Sequence, residues 1–91
     1  MYEWDQRKNA LNIAKHGVDF DYVYAFEWEH ATFRRDLRSD YGEHRFIAES
    51  FVFGRLHVLV FARRGGKIRV ISLRKANTRE RKRYEQDQKL H

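Results

Sequence analysis

The chain has 91 residues and a formal net charge of +6, which fits one domain with a modest core and a basic surface. It contains no Cys, which excludes disulfides and thiolate chemistry. No apolar run approaches the ~18 residues of a membrane helix, and the start MYEWDQRKNALN is too polar for a secretory signal. We therefore expect a single domain over residues 1–91 that acts in the cytoplasm and does not bind a membrane.

Residues 5–28 predict two helices that turn at His16-Gly17. Asp5 can accept hydrogen bonds from the free amides of the first turn, and Gly17 can take the left-handed conformation that ends the helix. Asp19 is a second candidate N-cap, and an aromatic face follows it. This segment is expected to pack as a helical pair on a sheet.

The hydrophobic period changes after residue 30. The segments ATFRRDL, RFIAESFVF, RLHVLVFAR and KIRVISLR are rich in β-branched and aromatic residues, and Gly54 and Gly65-Gly66 separate the last three. Short glycine turns favour antiparallel hairpins. We predict an α+β fold in which the two N-terminal helices pack on an antiparallel sheet of three or four strands and a C-terminal helix follows.

Strict alternation along the last two strands predicts one apolar face and one mixed face. Arg69 is placed on the mixed face with His57 and Arg63, which makes that face a candidate binding surface. The predicted apolar face, which should carry the helices, consists of Leu56, Val58, Val60, Ala62, Ile68, Val70 and Ser72.

The C-terminal helix is predicted to begin near Asn77, because the sequence NTRE is a capping-box pattern that ends at Glu80. Its only large apolar residues are Tyr84 and Leu90, so we expect it to be loosely held or completed by a partner. In the alternative, Tyr84 and the aliphatic stems of Lys and Arg fix it to the sheet.

Positive charge is concentrated near the end of the chain. Residues 63–84 carry ten Lys and Arg against one acid, Glu80. A basic segment on a mildly acidic body indicates a surface for a polyanion such as nucleic acid. The alternative is a solvated basic helix end.

Three blocks of sequence carry a resemblance to a known family: EWDQRKNALNIAKHGVDF, GEHRF and RVISLRKANTRERKRYE. Together they resemble the BrnT toxins of bacterial type II toxin–antitoxin pairs, over about residues 3–85. The resemblance implies a RelE-like fold and a ribonuclease that cuts RNA without the ribosome and inhibits translation. It also implies a BrnA-type antitoxin with a ribbon-helix-helix domain, through which the pair binds operator DNA and represses its operon. The chain differs in having Leu73 where the family usually has Ala, and in lacking an acidic, Pro-containing segment around 29–36.

The same blocks imply the candidate catalytic residues. RNA cleavage without metal needs a base for the 2′-hydroxyl, a cation on the phosphate and an acid for the leaving oxygen. Lys15 and His16 match the KHG block, and Glu43 and Arg45 match the GExR pattern. Arg74, at the junction of strand and basic helix, is the predicted phosphate clamp. Alternatively, His16 caps its helix and Glu43 forms a strand-edge ion pair with Arg45.

The basic segment supplies the predicted RNA-binding surface, because a polyanion needs fixed positive charge along its groove. Tyr84, Tyr41 and Phe33 can stack on unpaired bases, although burial in the core is the alternative for each. The predicted RNA-binding residues are Arg63, Arg69, Lys75, Arg79, Arg81, Lys82, Arg83 and Tyr84.

No metal or other cofactor is expected. The sequence has no Cys, no HExxH motif and no pair of His at the i, i+4 spacing of a helical metal site. Two alternatives to a ribonuclease remain at this point: a module that binds nucleic acid without cutting it, and an inert subunit that only binds a partner protein.

Overall fold

The structure is a computed structural model, and it describes residues 1–38, 40 and 42–89. An α+β fold is observed, as predicted. The strands are β1 (Tyr2–Glu3), β2 (Thr32–Arg35), β3 (Arg45–Val52), β4 (Arg55–Arg64) and β5 (Lys67–Lys75). The helices are α1 (Gln6–His16) and α2 (Thr78–Lys89), and two 3-10 helices span Phe20–Ala25 and Trp28–His30.

The sheet has five strands in the order β1-β5-β4-β3-β2, which corrects the predicted three or four. The other neighbouring strands are antiparallel, but β1 pairs in parallel with β5 through Tyr2–Ile68 and Glu3–Arg69. The sheet is therefore mixed rather than purely antiparallel. Two residues are too few to produce an alternating pattern, so β1 could not be read from the sequence.

The first helix begins and ends as predicted. Asp5 Oδ1 accepts a hydrogen bond from Arg7 N at 2.8 Å, and Gly17 ends α1 with a φ of 70°. The predicted second helix is instead a 3-10 helix followed by another short 3-10 turn. Its buried residues, Phe20, Val23 and Phe26, recur at every third position, which matches the three residues per turn of a 3-10 helix.

Both faces of the sheet carry a buried hydrophobic core, which corrects the prediction of one apolar and one mixed face. We name them by the aromatic residue packed on each. The 3-10 helices cover the Phe20 face, where the core includes Leu59, Phe61 and Val70. The Tyr84 face lies under α2, and its core consists of Ile47, Leu56, Val58, Val60, Ala76 and Tyr84.

A β-bulge at Ile71 explains the wrong assignment of faces. Val60 pairs with Ser72, but the next residue, Phe61, pairs with Val70, so Ile71 has no partner on β4. An extra residue reverses the alternation on one side of the bulge. Ser72 therefore leaves the face of Val70, and Arg69 joins Arg74 on the Tyr84 face rather than His57 and Arg63 on the other.

Three anchors hold α2 to the sheet, in agreement with the alternative stated for this helix. The capping box is present, with Asn77 Oδ1 accepting from Glu80 N at 2.8 Å and Glu80 Oε1 accepting from Asn77 N at 2.9 Å. The ring of Tyr84 packs edge-on against Phe51, with centroids 5.5 Å apart, and its hydroxyl donates to the carbonyl of His30. Glu80 also forms an ion pair with Arg74 on β5. Leu90 lies outside the described residues.

Candidate active site

The part of the Tyr84 face beside α2 carries several Arg side chains, and we call this surface the basic groove. Its floor is apolar, because Ile47 and Val60 lie side by side on neighbouring strands. Cross-strand pairing places the surrounding side chains in three rows: Thr32, Glu49, Val58 and Arg74; then Arg34, Ile47, Val60 and Ser72; then Arg45, Ala62 and Arg69. Four Arg residues from three strands thus share one surface.

Arg74 lies where β5 meets α2 and is oriented by a carboxylate. Its two terminal nitrogens each donate to one oxygen of Glu80 at 2.8 Å, and Nη1 also donates to Lys75 O at 3.3 Å. These bonds leave Nε–H and one N–H of Nη2, which form the side edge of the guanidinium and have no acceptor among the described residues. This pair of parallel donors has the geometry that binds a phosphate bidentately.

Lys15 and His16, in the last turn of α1, lie next to this end of the groove. Asn12 positions the helix: its amide donates to Leu73 O at 2.7 Å, and its oxygen accepts from Leu73 N at 3.4 Å. Burial lowers the pKa of His16, and the charges of Lys15 and Arg74 lower it further. The imidazole is therefore mainly neutral at pH 7, which suits a proton acceptor.

Glu43 and Arg45 lie at the other end of the sheet. Arg45 is four residues from Glu49 on β3, which corresponds to about 13 Å along the strand. Glu43 pairs with Arg64 through both oxygens, at 2.7 and 2.9 Å, and this interaction lowers the pKa of Glu43. The expected Glu43–Arg45 pair is thus replaced by a pair with Arg64. The structure brings Lys15, His16 and Arg74 together and leaves Glu43 and Arg45 apart from them.

The predicted RNA-binding residues divide among three places. Arg69 lies on the Tyr84 face and pairs with Glu3 at 3.2 Å. Arg63 is exposed on the Phe20 face, beside Trp28 and Phe33, and so is not part of the groove. Exposed side chains at the end of β5 and along α2 include Lys75, Arg79, Arg81, Lys82 and Arg83.

The aromatic candidates for base stacking are not equivalent. Tyr84 is 5% exposed, so its ring belongs to the core rather than to the RNA surface. Phe33 is 57% exposed and stacks on Trp28 with centroids 6.0 Å apart. Tyr41 lies outside the described residues.

Two residues of the groove, Glu49 and Arg34, were not predicted from the sequence. Glu49 is 3% exposed, and its Oε1 accepts from Arg34 Nη1 at 3.3 Å. Nη2 of Arg83, on α2, lies 3.5 Å from Glu49 Oε2. The available signal was an acid in the middle of the apolar strand RFIAESFV, since a buried carboxylate must have a cationic or polar partner.

One group of side chains in the described part of the chain has the donor types of a metal site. Ligand atoms of Glu27, Glu29 and His30 lie within 4.8 Å of one another. All three residues are at least partly exposed, and they precede β2, at the opposite edge of the sheet from β5. They do not take part in the basic groove.

Comparison with known protein families gives one match. Residues 4–80 match the family described as the ribonuclease toxin BrnT of a type II toxin–antitoxin system. A search of curated proteins gives no match. Among the described residues, no helix has the length and apolar character needed to cross a bilayer. The match covers most of the chain and includes α1, strands β2 to β5 and the start of α2, and the chain therefore belongs to the BrnT family of ribonuclease toxins.

Proposed function

We propose that the chain is a metal-independent endoribonuclease whose substrate lies in the basic groove of the Tyr84 face. The 2′-hydroxyl attacks the adjacent phosphorus, the bond to the 5′ oxygen breaks, and a 2′,3′-cyclic phosphate forms. The observation that carries this proposal is the pair of free donors on Arg74 beside a histidine with a lowered pKa. Together they offer a phosphate clamp and a proton acceptor at one end of the groove.

Each side chain then has a role that its environment favours. Arg74 binds the scissile phosphate through its side edge, and Lys15 adds charge that stabilises the transition state. His16 accepts the proton of the 2′-hydroxyl, and solvent water supplies the proton that the leaving 5′ oxygen takes up. Arg45 and Arg69, further along the groove, bind neighbouring phosphates. Glu43 is held by Arg64, so proton transfer is assigned to His16 instead.

The test is incubation of the purified chain with RNA in EDTA, followed by analysis of the product ends. We expect 2′,3′-cyclic phosphate or the 3′-phosphate that it yields on hydrolysis. Products with 3′-hydroxyl ends, or activity that disappears with the chelator, would rule out this mechanism. RNA that is retarded but intact would support the non-catalytic binding module, and RNA that is neither bound nor cut would support the inert subunit.

The type II family implies a protein antitoxin, and we propose that it is of the BrnA type. It would neutralise the toxin by covering the same Arg residues that bind RNA. Uninhibited cleavage of messenger RNA would stop translation. Because the antitoxin carries the ribbon-helix-helix domain, the complex should retard operator DNA while the toxin alone should not. Retardation of that DNA by the toxin alone would contradict this division of roles.

A further inference from the structure

The buried carboxylate of Glu49 differs from the buried, ion-paired carboxylates of Glu80 and Asp36. Glu80 and Asp36 each form hydrogen bonds to an Arg through both oxygens. Glu49 forms a hydrogen bond through Oε1 only: Oε2 is buried, lies 3.5 Å from Arg83 Nη2 in an ion pair, and has no hydrogen-bond partner among the described residues. A buried carboxylate oxygen without a donor is costly, which indicates that a donor arrives from outside.

A cavity beside this carboxylate offers room for that donor. Its volume is about 310 Å³, and it lies between the β2 edge of the sheet and α2. The side chains of Arg34 and Arg83 flank Glu49, and each is about half exposed. The residues that line the cavity are Thr32, Phe33, Arg34, Glu49, Arg83 and Asp87.

The Arg83 side chain, which lies over Oε2 of Glu49, is readily displaced. Arg83 lies 3.5 Å from Oε2 without a hydrogen bond, whereas the Arg74–Glu80 bonds measure 2.8 Å. The Arg83 side chain is itself 48% exposed and makes no hydrogen bond to Oε2, so a ligand that donates hydrogen bonds can take its place. An RNA phosphate can therefore draw Arg83 away, or a base can slide beneath its planar guanidinium, and either movement opens Oε2 to the cavity.

We propose that Glu49 forms a guanine-binding subsite next to the cleavage site. A carboxylate only accepts hydrogen bonds, and each of its oxygens can accept more than one. Among the four RNA bases, guanine alone presents two adjacent donors, N1–H and N2–H, on its Watson–Crick edge. Glu49 and Arg74 lie in one row two strands apart, about 10 Å between backbones, which suits a base and a phosphate of neighbouring nucleotides.

The proposal rests on the proposed ribonuclease function, and its test separates the two. Oligonucleotides that differ at a single position in G, inosine, A, C or U are cleaved by the parent chain, and the rates are compared. One bidentate contact discriminates bases by about five-fold to more than a hundred-fold, so G should exceed A, C and U by such a factor, with inosine between because it lacks the N2 amine. Equal cleavage of all five overturns the subsite and leaves the ribonuclease intact.

Substitution of Glu49 by Gln gives the sharper result. Gln pairs an acceptor with a donor, which matches adenine N6–H and N1, so Glu49→Gln should shift the preference from G toward A. Glu49→Asp keeps two acceptors and should keep the preference for G, which protects the test if the Gln variant folds poorly. Asp21→Asn, at an exposed position of the 3-10 helix on the Phe20 face, should leave the preference unchanged. Retention of the parental G preference by Glu49→Gln overturns the proposal.

A binding experiment gives a readout that does not depend on cleavage. The parent chain is titrated with GMP and with AMP, and chemical shifts of the backbone amides of 32–35, 49 and 83 are followed. We expect GMP to bind more tightly than AMP and Glu49→Gln to reverse the order. If the chain cuts no RNA but this order holds, the ribonuclease proposal fails and the guanine subsite stands; equal or absent binding of GMP and AMP overturns the subsite.

Discussion

Arg74 and Glu80 join the last strand of the sheet to the helix that follows it. Each oxygen of Glu80 lies 2.8 Å from a terminal nitrogen of Arg74, and Oε1 also accepts from Asn77 N. One carboxylate therefore caps α2 and orients the guanidinium that we propose as the phosphate clamp. The start of the helix and the geometry of the site depend on the same side chain.

Arg74→Lys should separate catalysis from charge. Lys keeps the positive charge but lacks the parallel donors, so we expect the cleavage rate to fall by ~10²-fold or more, as for loss of an oxyanion donor, with little change in RNA binding. Arg74→Ala should also destabilise the fold by about 1–3 kcal/mol because it leaves Glu80 unpaired. Initial rates and thermal melts measure both effects. Arg7→Lys, on the exposed start of α1, is the control, and an unchanged rate in Arg74→Lys would sink the clamp assignment.

Glu80 should make the fold sensitive to acid. The pKa of Glu80 is lowered from 4.5 to about 2, chiefly by its hydrogen bonds with Arg74. A group whose pKa is lower in the folded chain stabilises it fully above pH 4.5, and this contribution is lost as the pH falls toward 2. It amounts to about 3 kcal/mol at most, since one pKa unit corresponds to ~1.4 kcal/mol. Denaturant unfolding at pH 6 and pH 3 measures it, and Glu80→Gln should flatten the dependence. An equally steep dependence in that variant would contradict the assignment.

His57 should make stability depend on pH in a second, higher range. The imidazole is 3% exposed, and Nδ1–H donates to Arg55 O at 2.7 Å, so a proton added at the buried, unpartnered Nε2 would be unpaired. Burial lowers the pKa of His57, and the nearby charges of Lys75 and Arg55 add to this effect. Because the folded chain then binds fewer protons than the unfolded chain, stability should decrease as the pH falls below about 6.5. Melting temperatures from pH 7.5 to 5.5 should decline less in His57→Leu than in the parent.

The amides of α2 should be protected from hydrogen exchange in its first two turns. Glu80 and Tyr84 are both buried there, whereas residues 85–89 are exposed. Local opening should therefore be confined to the last turn. Exchange measured on the free chain tests this. Early exchange throughout residues 78–89 would restore the expectation of a loosely held helix that a partner completes.

Local signals predicted most of the elements. Asp5, Gly17 and the Asn77–Glu80 box mark helix ends through hydrogen bonds within a few residues, and all three are observed. The hairpin turns at the glycines were also predicted correctly, because the signal for each turn is local. Phe53 and Gly54 both have positive φ, at 50° and 76°, as a two-residue hairpin turn requires.

Features that depend on distant residues were not predictable. Nothing local indicates that Ile71 is unpaired on β4, and this one residue decides the face of Arg69. The Glu49 cluster joins residues from β2, β3 and α2, so no sequence spacing reveals it. In the candidate site, Lys15, His16 and Arg74 stay predictions that rest on the resemblance, and the pairing of Glu43 with Arg64 rather than Arg45 required the folded chain.

The unpaired Ile71 makes the basic groove depend on the length of β5 as well as on its composition. If Ile71 were deleted, β4 and β5 could pair without interruption, and one end of β5 would turn over relative to the other. Arg69 and Arg74 would then point to opposite sides of the sheet although every charged residue was still present. Replacing Ile71 by another β-branched residue preserves the register. Relatives of this chain can therefore vary the amino acid at this position. A relative that lacks a residue here should have a different set of side chains on the face that forms the groove.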